Sequence, residues 1–159
     1  MAAIFSSTNA PLPHHFHRLP QQFNYPANPQ PSKVIPFHPV GGNPAVGVRV
    51  SPSIDTVSID NPDGALGLDL KPKYTLRVNW LGCGPAFDVH FSLKKGTRKE
   101  LLCKTSDALQ QWIGKALKER QGAVPPQYKL ALVENLVHIA SAYIYQGTIV
   151  HLEIIIGPV

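Results

Sequence analysis

The groups in this chain that can do chemistry are two cysteines, seven histidines and ten carboxylates among 159 residues. A catalytic cysteine needs a cationic or helix-terminal setting that favours the thiolate, and a base held beside it. Cys83 lies in the turn Gly82-Cys83-Gly84-Pro85, which can present a thiol, and it is the candidate for redox sensing. The nearest histidine, His90, falls on the outward side of the following strand, so no base is supplied and catalysis at Cys83 is not expected. Cys103 reads as a small hydrophobe facing inward from a strand. The strand register separates it from Cys83 by more than the ~7 Å between Cα atoms that a disulfide tolerates.

The histidines do not gather into a ligand set. His90, His138 and His151 are scattered over two strands and a helix, and Glu134 with His138, four apart, is half a metal site at best. His14, His15, His17 and His38 fall in the N-terminal leader described below. There is no phosphate-binding loop and no nucleophile elbow, and the Gly82–Pro85 turn is too short for a dinucleotide fingerprint. The chemistry therefore points to a protein that is not an enzyme and holds no metal or cofactor.

Charge placement says more. Residues 71–129 carry twelve bases against Asp88, Glu100, Asp107 and Glu119 alone. Lys94, Lys95, Arg98, Lys99 and Lys104 crowd one short stretch, read as a hairpin, and mark a contact for an acidic protein surface or for RNA phosphates. Lysines on a sheet edge also discourage edge-to-edge pairing, which is the plainer use of the same residues. Most aromatics fall on inward positions, which argues against recognition of single-stranded RNA by stacking.

The elements that must position these groups begin late in the chain. Residues 1–54 contain no acid and ten prolines. Such a composition buries too little to offset its ordering entropy. Residues 1–50 are therefore expected to lack regular structure and to serve as an organelle transit peptide, acidic-poor and Ser-containing, cut within Val46–Ser53. Sparse arginine favours the plastid, with the mitochondrion as alternative. Residues 51–72, with Asp55, Asp60, Asp63 and Asp69, read as an acidic linker, and residues 73–159 as a single domain.

Within that domain, residues 73–81 and 87–94 alternate with period two and predict half-buried strands. Lys95-Gly96-Thr97 predicts a turn into a third strand over 98–104, with Phe91 opposite Leu101 and Val89 opposite Cys103. A helix capped at Thr105 or Ser106 follows, with Leu109, Trp112, Ile113, Ala116 and Leu117 as its stripe. A second helix is expected from Pro126 to Gln146, stopped by Gly147. The last strand, over 148–156, alternates Val150, Leu152, Ile154 and Ile156 with Ile149, His151, Glu153 and Ile155. Ile149 and Ile155 make its second face apolar as well, a candidate interface.

The fold class expected is α+β: a small antiparallel or mixed sheet in the order β-β-β-α-α-β, a helical pair on one face, and a disordered leader in front. The function expected is that of a small subunit or assembly factor of a larger photosynthetic complex in the chloroplast stroma or on the stromal face of the thylakoid. It would be peripheral, without an integral span. The alternatives are an RNA- or ribosome-associated plastid protein using the basic residues, and a small enzyme or ligand-binding domain without a recognisable motif.

Overall fold

Thr97 and Glu100 have the spacing of a capping box, and in the computed structural model they start a helix. The structure describes residues 2–5, 11–24, 30–83, 87–119 and 121–158. Helix α1 (Arg98–Ala116) has Thr97 as N-cap, whose hydroxyl accepts the Glu100 N–H at 3.2 Å. Leu101, Leu102, Thr105, Ala108, Leu109, Trp112, Ile113 and Ala116 return every three or four residues and are all buried. The strand expected over 98–104 is thus the first turns of this helix. Cys103 lies on it, half-buried, rather than facing inward from a strand.

The strands are β1 (Ala2–Phe5), β2 (His17–Arg18), β3 (Gln21–Asn24), β4 (Lys33–Pro36), β5 (Val48–Arg49), β6 (Tyr74–Leu76), β7 (Val89–Phe91), β8 (Val137–Tyr145) and β9 (Ile149–Ile156). A second, four-residue helix, α2 (Leu130–Val133), precedes β8. The fold is mixed α+β: a multistranded mixed sheet with two helices. Strands β4-β8-β9-β6-β7 lie side by side, β2 adds to β9 and β5 to β8, and β1 with β3 forms a separate ribbon. Only the β6–β9 pairing is parallel among those described.

Residues 137–145, expected as helix, are the longest strand. Their apolar positions mimic a helical period for a definite reason. Opposite β9, Ile139 pairs with Ile154 and Ser141 with Glu153, so Ala140 is an extra residue in β8. The bulge shifts the alternation by one, and the core-facing set becomes Val137, Ile139, Ala142 and Ile144. That three-residue step is what a helix face shows. Gln146 and Gly147, both at positive φ, close the β8–β9 hairpin, a backbone that glycine adopts at little cost.

The N-terminal half departs furthest from expectation. Residues 17–18, 21–24, 33–36 and 48–49, expected to lack regular structure, pair as strands, three of these segments with β8 or β9. Leu19, Ile35, Phe37 and Val48 join the main core. Each piece is too short to be recognised by its own periodicity. Three of them are ordered by strands β8 and β9 of the main sheet, and buried side chains in or beside the segments, such as Leu19, Ile35 and Val48, add roughly 1.5–3 kcal/mol apiece. Gly47 is what lets this layer close: its φ is +79°, and a Cβ there would collide with the Ile139–Ala140 backbone at the bulge.

The sheet then has two covered faces. Towards α1, Leu76, Val150, Leu152, Ile154 and Ile156 share the core with Leu109 and Trp112, as the alternation of β9 predicts. The other face carries Tyr143, Tyr145, His151, Glu153 and Ile155, and residues 12–23 together with Val46 cover it.

Candidate functional site

The basic residues meet at the N-terminal end of α1, but they do different things. The Glu100 carboxylate accepts the backbone N–H groups of Lys94 and Lys95 at 2.9 Å each and of Gly96 at 2.8 Å. Burial pushes this carboxyl up, yet the three N–H donors and the Lys104 charge outweigh it, and the net shift is downward. The acid therefore stays ionised and turned into the loop, while the Lys94 and Lys95 side chains remain exposed.

Arg98 and Lys99 point back into the molecule. The Arg98 guanidinium donates to the Pro36 carbonyl at 2.7 Å, and the Lys99 ammonium donates to the carbonyls of Ile54 and Val57. Both are half-buried, which corrects the expectation that the whole cluster lies on an exposed hairpin. They fasten residues 36–57 to the start of α1. Lys104, one turn further along, is half-buried, and the outer face of α1 continues with exposed Gln111 and Lys115.

On the far sheet face, polar groups are buried together. Arg18 Nε donates to Glu153 Oε1 at 2.9 Å, and the carboxylate side chain is 2% exposed. Phe23 stacks on His151 with ring centroids 3.8 Å apart, and Phe16 sits edge-on to His138 at 5.7 Å. Burial holds the His151 imidazole down to about 4 and lowers His138 as well. Burial, and then the Glu153 charge, push the Tyr143 phenol up. Gln21 spans the gap where β6 and β9 diverge. Its Nε2 donates to the Leu152 carbonyl at 2.8 Å, and its Oε1 accepts the Asn79 N–H at 3.2 Å.

The remaining candidates fall apart from both places. Cys83 is a free, half-buried thiol whose N–H closes a turn on the Trp80 carbonyl at 3.1 Å. Burial pushes its pKa up, which disfavours the reactive thiolate. Ile155 is 0% exposed beneath Val46, Leu12 and Phe16, and Ile149 is half-buried against Tyr143, Tyr145 and Phe23. In this structure the second face of β9 is taken by the chain itself. His90 bonds Thr75 at 3.0 Å on β7, while His138 lies on β8 and His151 on β9. Among the described residues no three His, Cys, Asp or Glu side chains gather as a metal site, and no helix is long and apolar enough to cross a membrane. A cleft of about 540 Å³ lies between α1 and residues 49–52, floored by Val50, Ile113 and Leu117 and rimmed by Arg49 and Glu134.

Sequence reasoning missed Arg18, Gln21, Phe23 and Gly47, because nothing local distinguishes them in a proline-rich stretch. The capping box at Thr97–Glu100 was readable, and it would have placed Arg98 and Lys99 on a helix. No family model matches the chain, and no curated protein or solved structure matches it either.

Proposed function

We propose that this chain is a non-enzymatic interaction protein, a small subunit or assembly factor of a larger complex, which meets an acidic protein surface at the N-terminal end of α1. One observation carries the reading. Glu100 is turned inward onto three backbone N–H groups, so the exposed Lys94 and Lys95 beside it keep solvent-facing charges that this carboxylate does not pair. Exposed cations steer association with surfaces of the opposite sign, and exposed Asp63, between the Gly64 and Pro62 carbonyls that the Arg98 and Lys99 N–H groups hold, borders the patch. Protein is favoured over RNA because Tyr74, Trp80, Trp112, Tyr143 and Tyr145 are buried and offer no stacking platform.

The test compares the wild-type chain with the Lys94→Glu/Lys95→Glu double variant in affinity purification from native extract, at low and high salt and with and without nuclease. The expected result is a partner set held at low salt, insensitive to nuclease and lost in the double variant. The same set recovered by both proteins overturns the proposal, and loss on nuclease treatment moves it to RNA.

A further inference from the structure

Residues 13–16, 39–48 and 57 come together beside the β5–β8 pairing and leave a groove of about 420 Å³ between them. Phe16, Pro39, Val46 and Val57 give it apolar walls from three separate stretches of the chain. Backbone bonds fix these walls in place. The Phe16 N–H donates to the Pro13 carbonyl at 3.1 Å, the Val40 N–H to the Ser58 carbonyl at 3.0 Å, and the Val46 and Gly47 N–H groups to the Asn43 carbonyl at 3.1 Å each. A preformed apolar groove of this volume falls within the roughly 300–1,000 Å³ of small-molecule sites, where a few polar groups orient the ligand. Here those groups are Arg49 and His138. They are register partners in β5 and β8, so they stand side by side on one face of the sheet. The His138 Nδ1 bonds the Leu136 carbonyl at 3.0 Å, and burial lowers the pKa of the ring, which is therefore neutral at pH 7. The charge belongs to Arg49. Its Nη2 donates to the Asn135 carbonyl at 2.7 Å, and among the described residues no carboxylate pairs with it and none lines the groove.

From this arrangement we infer that the groove binds a small carboxylic acid with an apolar body, its carboxylate on Arg49 and its hydrocarbon against Phe16, Pro39, Val46 and Val57. A guanidinium carries its N–H donors in a planar fork, so one can hold Asn135 while others meet a carboxylate. The unpaired cation selects the sign of the ligand. An apolar amine would set like charges together, and a neutral molecule of the same shape would leave the guanidinium to water. Apolar walls shed water as the ligand seats, which strengthens the ion contact beside them. Neither Lys94 nor Lys95 lines this groove, so the site is separate from the acidic-surface contact at the start of α1.

The experiment titrates the isotope-labelled full chain with octanoate and, as comparisons, with octanol and octylammonium, followed by NMR. Expected is saturable binding of octanoate, with the resonances of Val46, Val57 and the His138 ring moving together. Octanol and octylammonium should bind at least about tenfold more weakly, as for loss of a hydrogen bond between charged groups. Arg49→Gln should bring octanoate down to the level of octanol, and Arg49→Lys, which keeps the charge without the fork, should recover part of the loss. Arg49 is exposed, so both variants should melt close to the wild type. Absence of saturation, equal binding of octanol or octylammonium, or an Arg49→Gln titration that matches the wild type overturns the inference. Shifts confined to residues outside the groove overturn it too, because the acid would then sit elsewhere.

Discussion

Arg18 closes on Glu153 across the covered face of the sheet, Nε to Oε1 at 2.9 Å, and ties a residue from the acid-free N-terminal stretch to the last strand of the chain. The Glu153 side chain is 2% exposed and that of Arg18 24%. The pair makes the N-terminal segment a layer of the fold, and the predictions below start from it.

Arg18→Ala leaves a buried carboxylate without this guanidinium. Breaking a buried pair from one side costs about 3–5 kcal/mol, and the partial exposure of Arg18 puts the loss at or below the lower end of that range. Arg18→Lys should recover part of it. Thermal melts decide: a variant that melts with the wild type means the segment does not hold this face.

Gly47→Ala should be among the most damaging single substitutions, because positive φ and a backbone collision act together. Gly147→Ala is the control, with φ +82° and nothing within 4 Å of the added carbon. The control carries only the left-handed penalty, roughly 1–2 kcal/mol. Urea midpoints should therefore fall further for Gly47→Ala. Equal losses would remove the close approach at the bulge.

Lys94 and Lys95 should be replaceable without cost, within about 0.5 kcal/mol as for ordinary surface positions. Arg98→Ala and Lys99→Ala should not be, since each gives up a hydrogen bond from a charged group, worth about 1.5–3 kcal/mol. Chemical denaturation of the four single variants separates the two classes. If all four behave alike, the basic cluster has no division of labour.

Acid should destabilise the fold through His151. Its folded pKa lies near 4, below the ordinary value of 6.5, so between those pH values the unfolded chain binds a proton that the folded chain refuses. Stability is therefore retained above pH 6.5 and falls as pH drops towards 4, by an amount on the order of 3 kcal/mol at that end. His138, lowered by burial too, adds to the slope. His151→Gln should flatten the pH dependence of the urea midpoint between pH 7 and 4.5. An unchanged slope places the acid sensitivity elsewhere.

A chain beginning at Ser53, where cleavage of a leader is expected, loses Leu19, Ile35, Phe37, Val46 and Val48 from the buried set. It should not melt cooperatively, whereas a chain beginning at Pro11 should. A cooperative transition in the shorter chain would show that β4 and β5 are dispensable to the core.

What the sequence determined by itself was whatever depends on near neighbours. The alternation of β9 assigned Val150, Leu152, Ile154 and Ile156 to one face and Ile149, His151, Glu153 and Ile155 to the other, and the buried clusters divide in that way. The later turns of α1 were legible because Leu109, Trp112, Ile113 and Ala116 recur at helical spacing and lie buried together. The strand β8 was not legible, because one extra residue at Ala140 turns a period of two into a helix-like step, and a bulge exists only opposite a partner strand. Nor was the covering of the second face. Short proline-flanked segments carry no periodicity of their own, and their order comes from edges and side chains more than a hundred residues away, as Arg18 on Glu153 and Gln21 on Leu152 show. Local pattern sets which side chains face together. Contacts between distant segments, which lower the free energy only once the sheet exists, decided what covers them.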